Sequence, residues 1–138
     1  MNLAPLFKTF QILAPKAQTA TASGTGKNVI PGESPSYDAI AVVQNGAATG
    51  TPTSYTLVVT VEESATVNGT YDTLATFGTI TADNQISHLP VKINPAKPFI
   101  RATATIAFVG GTSPALLVDC ALLVNENVAS DSNEPALT

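Results

Sequence analysis

A period-two alternation of apolar and polar residues over positions 98–109 constrains the fold of this chain more than any other sequence feature. One side of the segment would carry five apolar residues: Ile100, Ala102, Ala104, Ile106 and Phe108. Arg101, Thr103 and Thr105 fall on the other side. This period is typical of a β-strand, because successive side chains of a strand point to opposite faces. The segment therefore predicts a strand with one face against a core.

Similar segments recur along the chain and are separated by turn residues. Further strands are predicted at residues 37–44, 54–63, 71–80, 87–93 and 115–124. The Asn-Gly pairs at 45–46 and 68–69 are typical signals of tight turns. Several short strands at this spacing predict an all-β fold, an antiparallel β-sandwich or small barrel of the jelly-roll or immunoglobulin-like kind, with extended termini.

A chain of 138 residues has room for one domain. We place the β-sandwich at residues 36–124, between an N-terminal arm and loop at 1–35 and a flexible C-terminal tail at 125–138. Frequent prolines before residue 36 exclude a long helix, so we expect an extended arm or edge strand there. Four apolar residues of this arm are candidate interface residues: Phe7, Phe10, Ile12 and Leu13. We expect the arm to become ordered only when a partner covers it.

The chain is poor in charge, with six Lys and Arg, ten Asp and Glu, and a net charge of −4. Charged residues make up 12% of the sequence, against about 25% in an average soluble chain. Six dispersed cations argue against a nucleic-acid partner. The most apolar stretch, residues 114–124, is about half of what a membrane-spanning helix needs, and no basic leader precedes an apolar run. We therefore expect no membrane association and synthesis in the cytoplasm.

Residues that carry catalytic or metal chemistry are scarce. His88 is the single histidine, and the single cysteine, Cys120, lies inside an apolar run and is predicted to be a buried, unreactive thiol. A zinc site needs three or four clustered ligands, which one His and one Cys do not supply. The segment Gly24-Thr25-Gly26-Lys27 departs from the phosphate-loop pattern at both ends and is predicted to be a flexible loop. We expect no enzyme activity, no cofactor and no metal.

The last predicted strand, residues 115–124, is apolar on both faces. Leu116, Val118 and Leu122 alternate with Leu117 and Leu123. Such a strand is covered on both sides or faces a partner, so Leu117 and Leu123 are candidate interface residues. Arg101 is a lone cation on a threonine-bearing face, and it either pairs locally or binds a carboxylate of a neighbouring protein.

Two motifs carry a resemblance to a known class of proteins. One is Glu63-Ser64-x-x-x-x-Gly69-x-Tyr71 after a threonine-rich strand, and the other is Phe99-Ile100-Arg101-Ala102-Thr103 before a Gly-Gly-Thr-Ser-Pro turn. Over residues 36–124 this arrangement resembles the small β-sandwich head-decoration, or cement, proteins of tailed bacteriophages. The resemblance implies a structural virion protein without catalytic residues, made in the host cytoplasm. It also implies a place on the capsid surface, the major capsid protein as partner, and a homotrimer.

The alternative function is a ligand- or glycan-binding β-module of a phage tail or fibre, or of a bacterial surface. Such modules usually expose aromatic platforms, whereas this chain has no Trp and three dispersed tyrosines, which we predict to lie in the core or in cross-strand pairs. The mass in solution separates the two hypotheses, because a binding module is expected to be a 14.1 kDa monomer and a shell protein an oligomer.

Overall fold

The computed structural model describes residues 7–29 and 37–125, and it confirms the all-β prediction: these residues form two antiparallel sheets packed as a sandwich and contain no helix. The strands in chain order are β1 (Phe7–Gln18), β2 (Ala22–Ser23), β3 (Lys27–Asn28), β4 (Tyr37–Thr49), β5 (Ser54–Ser64), β6 (Asp72–Thr76), β7 (Ile86–Ile93), β8 (Phe99–Val109) and β9 (Ala115–Asn125). The predicted C-terminal tail, apart from its first residue, lies outside the described residues.

The four-stranded sheet has the order β1-β9-β4-β7. Strand β9 is central, since β1 lies on one side of it and β4 on the other. Strand β4 is longer than predicted because it continues through a bulge between Asn45 and Ala48. The bulge adds unpaired residues on β4, so the Asn45-Gly46 pair that predicted a turn lies inside a bent strand instead.

The second sheet is built on β8, which β5 accompanies in unbroken register from Ser54↔Val109 to Ser64↔Phe99. Strand β6 follows on the far side of β5, and the two-residue strands β2 and β3 both pair with β8. The predicted strand at 71–80 is shorter than expected. Its regular part ends at Thr76, after which the chain returns to β5 at a single bridge between Ile80 and Leu57.

The inward faces of the two sheets form one core. The alternation over 98–109 is realised as predicted, because Ile100, Ala102 and Ala104 are fully buried and Arg101 and Thr103 are not. From the four-stranded sheet, β9 contributes its even-numbered apolar side chains and β4 its odd-numbered ones. Each strand thus places every second residue in the core, which is the packing expected of two sheets that face each other.

The sequence leaves two forms open for the N-terminal segment, an extended arm and an edge strand, and the structure shows the second. Residues 7–18 form the edge strand β1, paired with β9 from Phe7↔Asn125 to Gln18↔Leu116, and they are ordered within the single chain. Ile12 is completely buried and Leu13 is 3% exposed. These two side chains belong to the core because β9 presents Leu122 and Cys120, both fully buried, beside them. The sandwich therefore begins before residue 36.

The segment predicted to be a flexible loop, residues 24–27, lies along β8 and is held by backbone hydrogen bonds. The Gly24 amide donates to the Ala102 carbonyl at 2.9 Å, and a side chain at position 24 would collide with the Ile12 carbonyl oxygen. A side chain at Gly26 would collide with the Tyr71 hydroxyl. Glycine is needed at position 24 because the backbone there passes directly over the Ile12 carbonyl, whereas a side chain at position 26 would displace the Tyr71 hydroxyl.

Candidate interaction surface

The outer face of the four-stranded sheet carries apolar side chains in adjacent rows. Residues paired across antiparallel strands share a face, so the register places Ile40 of β4 between Leu123 of β9 and Pro90 of β7. In the next row Val42 lies beside Ala121 of β9. We call the following side chains the outer-face patch: Ile40, Val42, Pro90, Leu117, Ala121 and Leu123.

Several of these side chains are open to solvent to an extent unusual for large apolar residues. Ile40 is 41% exposed and Leu117 is 48% exposed. Ile86, at the start of β7 on the same face, is 70% exposed. Single exposed apolar residues are ordinary, but apolar side chains that adjoin across three strands are typical of a surface that meets another molecule.

One end of the patch forms an open depression of about 470 Å³. Ile40, Pro90 and Leu123 supply its apolar lining, and Asp38 and Lys92 stand at its rim. The Lys92 ammonium and the Asp38 carboxylate are 3.7 Å apart, but both side chains are more than 70% exposed, so this ion pair adds little to stability. The depression has the chemistry of a contact surface for apolar side chains.

Asp119 interrupts the apolar character of this face. It projects from β9 between Leu117 and Ala121, and its cross-strand neighbour on β4 is Gln44. Partial burial raises the pKa of its carboxyl group, because the charged form is less well hydrated there. A partner that covers this face must therefore supply a hydrogen-bond donor opposite Asp119.

Both edges of the four-stranded sheet are unsuited to strand addition. Pro90 lies in the middle of the edge strand β7 and has no backbone N–H to donate. The other edge strand, β1, has register irregularities between Gln11 and Leu13 and between Leu13 and Lys16. Prolines and bulges of this kind keep sheet edges from pairing with other chains. The face of the sheet is consequently better suited to a partner than its edges.

The candidate interface residues of the sequence analysis fall in three places. Leu117 and Leu123 lie in the outer-face patch. Ile12 and Leu13 lie in the core and are not available to a partner, and Phe10 is half-buried against that core. The backbone of Phe7 begins β1. Ile40 and Val42 are not among the predicted interface residues, although the apolar run 39–43 carries the same two-faced signal that pointed to β9.

Arg101 lies on the outer face of the other sheet and is paired within the chain. Its Nε donates to Glu62 Oε1 at 2.7 Å, and Thr103 donates its hydroxyl to the same oxygen at 2.7 Å. The guanidinium carbon lies 3.9 Å from the centre of the Tyr71 ring. This is the local pairing that the sequence analysis left open, and it joins β8, β5 and the turn before β6 through charge and cation–π contacts.

A buried polar network at the opposite end of the sandwich was not anticipated. The Asn45 side-chain amide donates to the Ala82 carbonyl and to the Tyr55 hydroxyl, which in turn donates to Asp83 Oδ1 at 2.8 Å. Burial, and then the hydrogen bond to Asp83, raises the pKa of Tyr55 to about 12. The network fixes the segment before β7 to the bulge of β4. In the sequence, Asn45 and Tyr55 are 10 positions apart and Tyr55 and Asp83 are 28 apart, and no local sequence signal connects them.

The groups that most often carry chemistry lie apart from one another. Cys120 is fully buried, and this burial, with the nearby charge of Asp119, raises the pKa of its thiol to about 12. His88 is exposed beside Val42. Within residues 7–29 and 37–125 no three His, Cys, Asp or Glu side chains are grouped closely enough to hold a metal ion. The same part of the chain contains no helix that could cross a membrane.

The fold of this chain resembles that of solved structures, although its sequence matches no known family. No protein-family model and no curated protein matches this sequence. The crystal structure of the PBSX exported protein XepA is similar to this chain with a TM-score of 0.55 and 14% sequence identity, over 91% of this chain and 38% of XepA. The chain thus spans little more than a third of that protein. The similarity shows a shared β-sandwich fold.

Two further solved structures are more distant. The SPBc2 prophage-derived protein YomS is similar with a TM-score of 0.42 and 15% identity, over 86% of this chain and 93% of YomS. A Bacillus endospore appendage protein, from a family of disulfide-linked pili, has a TM-score of 0.38 and 14% identity, over 86% of this chain and 87% of that one.

Proposed function

We propose that this protein is a structural virion protein of a tailed bacteriophage, which binds the capsid shell as a decoration or cement protein. The observation that carries the proposal is the outer-face patch, which we propose joins copies of this chain into the oligomer that sits on the shell. A folded domain with apolar rows open to solvent on one sheet face gains stability when that face is covered. Association, and not a reaction, is the activity that this surface supports.

The shared fold with XepA supports a phage setting for the proposal. XepA is an exported protein of PBSX, and its match with this chain covers 91% of the chain. A fold is compatible with many functions, so the argument for association rests on the surface.

On an assembled shell, a contact that is weak by itself can give tight binding when it is repeated. Several copies of this chain, joined to one another, would bind a lattice of identical capsid sites together, and the second contact then forms at high local concentration. Low overall charge suits such a role because the contact area is not dominated by repulsion between net-negative copies. The proposed partners are the major capsid protein and further copies of this chain.

Strand β1 begins and strand β9 ends at the same end of the four-stranded sheet, since Phe7 and Asn125 are register partners. We propose this end as the part that meets the shell, while the outer-face patch joins the copies.

The glycan-binding alternative has no supporting observation. None of the six aromatic side chains described in residues 8–29 and 38–124 is exposed, and the Tyr71 ring is covered by the Arg101 guanidinium. A sugar platform needs an open aromatic face.

Antibody labelling of purified virions tests the proposed function. Particles of the phage that encodes this chain, banded by density, are expected to contain the protein and to bind the antibody over the head surface. Particles from a phage with the gene deleted are the control. Their capsids are expected to break at a lower temperature than wild-type capsids, and added purified protein is expected to restore the wild-type temperature. Labelling confined to tails, or protein absent from the particles, would contradict the proposal.

A further inference from the structure

We propose that the outer face of the four-stranded sheet is a self-association surface, on which a second copy of this chain packs about a two-fold axis. The axis would run parallel to the strands, above the boundary between β4 and β9. Strand β4 of one copy then lies over β9 of the other. The inference rests on the proposed function for its biological setting, but its argument comes from the arrangement of side chains on this face.

The rows of the face are complementary to themselves under this rotation. Ile40 would meet Leu123 of the second copy, and Val42 would meet Ala121. Both pairs are apolar, and each copy contributes each pair once, as an isologous interface requires. Packed sheets cross at about 30°, which keeps these central pairs in contact while the corners diverge.

Charge and hydrogen bonding select this axis over the alternative. With the axis along the strands, Asp119 faces Gln44 of the second copy, whose amide can donate to the carboxylate. With the axis across the strands, Asp119 would face Leu123 and lose its hydration without a donor. On the β1 side, Gln11 would face His88 of the second copy, which gives the rim a polar pair.

The size of the face fits a modest but specific contact. Four strands at a spacing of about 4.8 Å, and eight residues of β7 at about 3.3 Å each, span roughly 500 Å² per copy. Two such faces bury about 1,000 Å², near the lower limit for specific protein interfaces. We therefore expect a dimer Kd in the micromolar range. Strand addition at the edge of β7 does not compete with this dimer, because Pro90 blocks that edge.

Sedimentation and cross-linking of the full chain test this proposal. The wild-type chain is expected to sediment at twice 14.1 kDa above a micromolar midpoint. Ile40→Lys should raise the dimer Kd by about tenfold or more, since a charge would be buried at the centre of the contact. The matched control is Val109→Lys, which makes the same change in charge at an apolar residue, 59% exposed, on the other sheet, and should leave the Kd unchanged. Both variants should keep the wild-type melting temperature, because neither side chain lies in the core.

Disulfide trapping tests the axis itself. When chains carrying Ile40→Cys are mixed with chains carrying Leu123→Cys and oxidised, the expected product is the mixed disulfide and neither of the two symmetric ones. The wild-type chain controls for Cys120, which is fully buried and should form no dimer. A monomer at all concentrations, a trimer, or predominantly symmetric disulfides would overturn the proposal. The proposal would also be overturned if the full chain stayed monomeric and a chain without residues 126–138 dimerised. That result would assign the face to this chain's own C-terminal segment. Virion labelling is independent of these results, so loss of the dimer and loss of the capsid role can be told apart.

Discussion

At the scale of single residues, the buried hydroxyl of Tyr55 shows how this sandwich secures a long connection between its sheets. Tyr55 is 6% exposed, its ring lies 6.1 Å from that of Phe108, and its hydroxyl joins Asn45 to Asp83. Asp83 also accepts the Ala48 amide, so one carboxylate and one phenol hold the segment before β7 against the bulge of β4. A bulge adds a residue without a ladder partner, and here side chains supply the missing bonds.

Tyr55→Phe is expected to destabilise the fold by about 1–2 kcal/mol at neutral pH, because it keeps the ring and removes both hydroxyl hydrogen bonds. Urea unfolding followed by circular dichroism measures this loss. Tyr71→Phe is the control, since the Tyr71 hydroxyl donates to the Val67 carbonyl in an exposed turn and its removal should cost less.

The same residue predicts a change with alkaline pH. The folded pKa of Tyr55 is about 12, above its ordinary value of 10, so the unfolded chain releases the phenol proton first as pH rises. The stability that Tyr55 contributes is therefore complete below pH 10 and is lost between pH 10 and 12. The difference in unfolding free energy between the wild-type chain and Tyr55→Phe should shrink over that interval. A difference that stays constant from pH 8 to 11.5 would show that the hydroxyl is not buried.

At the scale of strands, β1 is the element whose role differs most from expectation. From its sequence, this segment is expected to become ordered only when a partner covers it, but Ile12 and Leu13 lie in the core against β9. Burial of two such side chains contributes roughly 3–6 kcal/mol, a large part of the 5–15 kcal/mol by which a typical domain is stable.

We therefore expect deletion of residues 1–14 to unfold the domain or to lower its melting temperature steeply. Deletion of residues 1–6, which removes no residue of β1 as the structure describes it, should leave the melting temperature nearly unchanged. Ile12→Ala should cost about 2–5 kcal/mol, and its exposed neighbour supplies the control Gln11→Ala, which should cost little. Scanning calorimetry distinguishes these results, and equal melting temperatures for the 1–14 deletion and the wild-type chain would restore the arm interpretation.

The strands that the sequence predicts well have turn residues at both ends. Strands β5, β7, β8 and β9 begin and end within one residue of their predicted bounds, the first three because a period of two agrees with the turn residues and β9 because its apolar run lies between them. The sequence leaves β1 open between an arm and an edge strand because its pattern is broken: Pro15 and two irregularities in register shift its inward residues out of a fixed period. Tertiary pairing with β9, and not local preference, makes this segment a strand.

The candidate surface is predictable only in part for a similar reason. The sequence shows that β9 is apolar on both faces, and this pattern points to Leu117 and Leu123 as interface residues. Which strand lies beside β9 is not visible, since the partner β4 is more than 60 residues away in the chain. The patch exists because the register brings Ile40 next to Leu123, and register depends on the complete sheet order.

At the scale of the whole molecule, the scarcity of charge and the exposure of one apolar sheet face both favour association of copies. With a charged fraction of 12%, the surface has few groups that keep copies apart, and the outer-face patch is where apolar area is concentrated. The proposed dimer should then be held by removal of apolar surface from water and only weakly by ion pairs.

This balance of forces predicts how salts act on self-association. Raising sodium chloride from 50 to 500 mM should change the dimer Kd by no more than about threefold, because exposed charges are screened while apolar burial is not. Ammonium sulfate should strengthen the dimer at equal ionic strength, since sulfate is excluded from protein surface and favours burial. Sedimentation equilibrium in the two salts measures both effects, and Ile40→Lys should abolish the response to sulfate while Val109→Lys keeps it. A dimer that dissociates steeply in sodium chloride would instead be held by Asp38, Lys92 and Asp119, and the contact would then centre on the charged rim and not on the rows of the patch.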